Sequence, residues 1–162
     1  MRNSDLHELP PSVRHRYLNT PDDFFDKHPE VIELRSALVE AEERAQAPAH
    51  RLAQHRQQVK ELHAKRDEAV KAVAQIDEER PALVARLLLT GGPMTEDDRE
   101  QGRRAELARF DERVTVALPA LADEDRRLAG DLRRAHLPAE THRDKLRELL
   151  ERLRVEEAKR AA

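Results

Sequence analysis

Residues 87–100 read LLLTGGPMTEDDRE, and this stretch decides the fold because it stops one helix and starts another within a few positions. Gly91 and Gly92 can take the positive φ that closes a helix, and Pro93, without an amide hydrogen, blocks its continuation. Thr95 then suits an N-cap, and Glu96, Asp97 and Asp98 place negative charge in a first turn, where the helix dipole favours it. A connection confined to residues 91–94 makes the two helices antiparallel neighbours.

On the N-terminal side, alternate steps of three and four lead from Val31 through Leu34, Leu38, Ala41, Ala45, Leu52, Val59, Leu62, Ala69, Val73, Ile76 and Leu83 to Leu87. Only Pro48, His55, Arg66 and Arg80 interrupt the apolar series. This is the a/d pattern of a coiled-coil seam. On the C-terminal side a second seam runs from Leu107, Phe110 and Val114 to Leu146, Leu149 and Leu153. Between Ala117 and Leu128 its steps are four, four and three, a stutter that admits Asp125 and relaxes the supercoil.

The expected fold is therefore all-α: a long antiparallel helical hairpin (coiled coil), bent or hinged at prolines, with a short helical N-terminal segment. Its parts are an aromatic-containing segment over 1–28, a first arm over 29–90, the turn at 91–94, and a second arm over 95–162 broken near 138. Pro48, Pro81, Pro119 and Pro138 each remove a backbone donor. If residue i faces residue 184 − i, Pro48 and Pro138 share a level and define a hinge. The same rule sets Arg66 beside Pro119, where it could donate to the freed Thr115 carbonyl.

Composition agrees with this outline. Of 162 residues, 39% are charged and 38% hydrophobic, the only aromatics are Tyr17, Phe24, Phe25 and Phe110, and cysteine is absent. Without cysteine there is no disulfide framework and no thiolate metal site. No apolar run is long enough to span a bilayer, and the opening MRNSDLHELPP lacks the apolar core of a signal peptide, so a cytoplasmic location is expected. The net charge of −3 excludes a strong overall bias toward nucleic acid. Arginine's excess over lysine fits a GC-rich bacterial genome.

Two stretches carry more apolar bulk than the seams need. Around TPDDFFDKHPE (20–30), Leu9, Val13, Tyr17 and Leu18 have helical spacing and Thr20-Pro21-Asp22-Asp23 forms a capped turn before Phe24 and Phe25. This segment either covers the open end of the hairpin near Leu146 and Leu153 or docks on another protein through its aromatic anchors. At the turn, Val84, Leu88, Leu89 and Met94 widen the apolar surface, as ordinary tip packing, self-association or a contact site. Val70, Val116 and Leu118 also lie off the seams and call for a third layer, which a homodimer or a folded-back segment would supply.

Chemistry has little foothold. His50, His55, His63, His136 and His142 do not form the i, i+4 pair of a zinc helix, and no metal or cofactor is expected. His55 and His142 occupy seam positions, where protonation would disturb packing. No phosphate loop or nucleophile elbow occurs, and the carboxylates belong to solvated faces, so the chain is read as non-enzymatic. The basic stretch 44–66, with Arg51, Arg56 and Lys60, could contact phosphate. Asp123, Glu124, Asp125 and Asp131 lie at its level on the other arm and are expected to pair with it.

No family motif can be matched residue by residue. In outline the hairpin is similar to export-apparatus stalk proteins and to phage scaffolding or assembly proteins, a likeness of periodicity alone. The leading expectation is a helical adaptor, assembly factor or inhibitor, from a phage or other mobile element, that binds a larger protein complex through Tyr17, Leu18, Phe24, Phe25, Leu88, Leu89 and Met94. The alternative is a nucleic-acid-associated coiled coil.

Overall fold

A computed structural model describes residues 9–161. Its elements are α1 (Pro11–Asn19), a 3₁₀ turn (Asp22–Phe25), α2 (Pro29–Thr90) and α3 (Thr95–Arg160), with no strand among the described residues. The two long helices pack against each other as a hairpin. Of the positions on the two seams, all are buried or half-buried except Arg80.

The helix ends follow from local chemistry. Pro29 opens α2, where its missing N–H would have had no partner, and the His28 carbonyl accepts from Val31 and Ile32, each at 3.0 Å. At the other end Gly91 takes φ of 62°. Its amide donates to the Leu88 carbonyl at 3.4 Å and the Gly92 amide donates to that of Leu87 at 3.1 Å. These two bonds are the Schellman termination, which needs a left-handed residue where Gly91 stands. Helix α3 starts one residue earlier than an N-cap at Thr95 requires. The Met94 carbonyl accepts from Asp98 at 3.0 Å, so Thr95 is already helical and Met94 holds the capping place.

Both long helices run unbroken through their prolines, α2 through Pro48 and Pro81 and α3 through Pro119 and Pro138. The break expected near 138 does not occur. A proline removes one hydrogen bond, and tertiary packing can hold the helix across the gap. Next to Pro138, Ala139 is fully buried.

The chain divides into two compact units, one of the residues up to His50 and from Gly130 onward, the other of residues 51–129. In the first unit, Phe25, Val31, Leu149 and Leu153 form one apolar cluster, with Leu34, Leu146 and Leu150 packed on it. Val13, Tyr17 and Ala158 form a second, with Leu9 and Val155 against it. Arg152 pairs with Glu30 at 3.1 Å and Arg143 with Glu42 at 2.6 Å. From Leu9 onward the N-terminal segment thus lies on the last turns of α3, in the covering arrangement, and residues 1–8 of the segment lie outside the described residues.

In the second unit, Leu52, Ala69, Ile76, Leu87, Val114 and Leu128 are the buried apolar residues. Arg66 donates from Nε to Asp111 Oδ1 at 2.5 Å. It does not serve the Thr115 carbonyl, because Asp111 lies about two helical turns nearer the hairpin turn than Pro119 does and a carboxylate is the stronger acceptor.

Candidate protein-interaction surface

The end of α2 is where the second unit departs from an ordinary solvated coil. Leu87 faces the seam and is buried, which rotates the two leucines after it outward: Leu88 is 69% exposed and Leu89 88%. Met94, on the far side of the Schellman turn, is 37% exposed. Because the turn's two backbone bonds fix this geometry, the leucines are held in water by structure. Val84 is half-buried beside the seam.

One and two turns back, Ala85, Ala82 and Pro81 are also exposed. Spaced three and four apart from the leucines, they share their face. The outer surface of α2 from Pro81 to Leu89 therefore carries Arg86 as its one charge. Earlier in the same unit that surface holds Lys60, Glu61, Asp67, Glu68 and Lys71. The residues of this stripe were legible in PALVARLLL, but which of them faced outward depended on where the seam lay.

Between this end of α2 and the start of α3 lies an open groove of about 470 Å³, lined by Ile76, Glu79, Leu83, Arg86, Glu96 and Glu100 among others. Arg86 Nη2 donates to both carboxylate oxygens of Glu96 at 2.9 Å. Arg80 donates to Asp97 from Nε at 3.0 Å and Nη2 at 3.2 Å. That hydrogen bonding, reinforced by the guanidinium charge, holds the Asp97 carboxyl below its usual range although burial opposes it. Arg104 does the same for Asp77 from the next level, with its Nε 2.6 Å from Asp77 Oδ1.

At the chain-end unit the four predicted anchors separate into two pairs. Tyr17 and Phe25 are buried in the two clusters, and the Arg154 guanidinium lies 6.0 Å from the Tyr17 ring centre. Their burial removes them from a docking surface. Phe24, 59% exposed, and Leu18, also exposed, point away. The Phe24 ring meets Phe25 edge to face, with centres 5.1 Å apart.

The basic stretch pairs across the hairpin at Arg56. Arg56 forms a two-point contact with Asp125, Nε to Oδ1 at 2.8 Å and Nη2 to Oδ2 at 3.1 Å. Asp123, Glu124 and Asp131 bond along α3 to Arg126, Arg127 and Arg134. Three positions apart on one helix, these partners lie within reach of each other. Arg51 and Lys60 are exposed.

His55 donates from Nε2 to the Leu121 carbonyl at 3.1 Å, and His142 Nδ1 is buried without a partner among the described residues. His50 and His63 are exposed and His136 half-buried. No group of three or more metal-ligating side chains comes together among the described residues. None of their helices is long and apolar enough to cross a membrane. Val70 and Val116 are exposed and Leu118 is half-buried.

Comparison with protein-family models, curated proteins and solved structures finds no match to this chain.

Proposed function

We propose that the chain is a non-enzymatic helical adaptor that holds a protein partner on the apolar face next to its hairpin turn. The observation that carries the reading is the adjacent pair Leu88 and Leu89, fixed in water by a turn whose own packing uses Leu87 instead. Contiguous exposed apolar surface rimmed by polar groups is the usual mark of a contact site. Phe24 and Leu18 offer a second contact of the same kind, whereas Tyr17 and Phe25 serve the fold. An assembly factor or inhibitor of a larger complex is the form of adaptor this favours, since an unbranched pair of helices presents surface rather than a reaction site.

A photo-crosslinking residue in place of Leu89, compared with one in place of Lys71, tests the reading in the native host. Crosslinks to one defined protein at position 89, lost on Leu88→Gln, are expected. Equal crosslinking from both positions would remove the turn as the site. Arg56, central to the nucleic-acid alternative, is engaged by Asp125, which disfavours phosphate contact there.

A further inference from the structure

The partner's chemistry can be taken further, on the premise that the turn is a contact site. We propose that this face receives a basic amphipathic helix, with leucine-like residues on one side and lysine or arginine at its margins. The stripe that ends in Leu88 and Leu89 has a three-and-four spacing that matches a helical partner lying against it.

Charge decides which helix. The arginines near the stripe are occupied by the protein's own acids: Arg86 by Glu96 at 2.9 Å, Arg80 by Asp97 at 3.0 Å and Arg103 by Glu100 at 3.7 Å. Glu78 and Glu79 remain exposed at the start of the stripe, and in the first turn of α3 Asp98 is exposed next to Arg99. None of these three carboxylates has a basic partner among the described residues, Glu79 accepting only from the Gln75 amide at 2.8 Å. An apolar strip with two uncompensated acids at its start attracts a cationic helix and repels an anionic one. Two copies of the same acidic rim repel each other, which disfavours tip-to-tip self-association. Anionic lipid is disfavoured for the same reason.

The test uses the full chain and two fluorescent model peptides of about 18 residues, long enough to form a helix when bound. Both carry leucines at i, i+3, i+4 and i+7, one with lysine at the remaining positions and one with glutamate. The lysine peptide is expected to bind about tenfold or more tightly than the glutamate peptide, and about tenfold less tightly to Leu88→Gln/Leu89→Gln. Glu78→Gln/Glu79→Gln should weaken it while leaving helix content unchanged, and added salt should do the same to the wild type.

Equal binding of the two peptides, or indifference to the leucine substitutions, overturns the proposal. So does a dimer in sedimentation that those substitutions dissociate, or leucine-dependent flotation with phosphatidylserine vesicles. If position 89 crosslinks one host protein but the lysine peptide shows no preference, the contact site stands and its charge preference falls. If the lysine peptide binds as described but no crosslink forms, the surface chemistry stands and the adaptor reading falls.

Discussion

Arg80 and Asp97 form a two-point ion pair in which the carboxylate is nearly buried, its side chain 7% exposed, while the guanidinium is about half in water. Arg80 holds a position in the α2 seam where an apolar residue would ordinarily stand, and Asp97 comes from the first turn of α3. Asp97 is the one buried charged residue among the described residues. The pair therefore ties the register of the two helices at the level next to the turn, because a slip of either helix would leave a buried carboxylate without a partner.

Asp97→Asn should accordingly lower the thermal midpoint more than Asp77→Asn does, although Asp77 makes an equally bidentate contact with Arg104. Asp77 is exposed and its loss leaves nothing stranded. Circular dichroism melts of the two variants check the order, and equal shifts would contradict it.

Acid should act through the same groups. Arginine hydrogen bonds lower the carboxyl pKa of Asp77, Asp97, Asp125 and Glu124 in the folded protein. A group whose folded pKa is depressed contributes stability above its unfolded value and loses it as pH falls through the folded one. Stability from these pairs is thus intact at neutral pH and declines below about pH 4. In urea titrations across that range, Asp97→Asn should show a shallower acid decline than wild type.

The neighbouring phenylalanines should behave differently. Phe25→Ala empties a site in the cluster with Val31, Leu149 and Leu153 and should cost about 3–5 kcal/mol. Phe24→Ala loses the edge-to-face contact and should cost no more than about 1 kcal/mol. Urea unfolding of the two single variants measures both.

Gly91→Ala should destabilise by about 1–2 kcal/mol, the penalty for a left-handed alanine. No atom lies within 4 Å of the added Cβ, so the whole effect is backbone strain. Gly92→Ala, whose Cβ would meet Thr90 Oγ1 at 3.4 Å with no positive φ, should cost less.

The sequence by itself determined the hairpin. Heptad spacing and the Gly91-Gly92-Pro93 stop act within a few residues, and such short-range signals survive without knowledge of the partner helix. It also assigned the seam almost to the residue, because burial of a narrow apolar stripe is the main stabilising term open to a chain with so few aromatics. Only the tertiary structure decided which acid answers each arginine, giving Asp111 to Arg66 and Asp97 to Arg80, since long guanidinium side chains reach over several facing positions. It alone divided Phe25 from Phe24. Neighbouring residues on a helix or tight turn point in different directions, and which direction meets a core depends on what packs there.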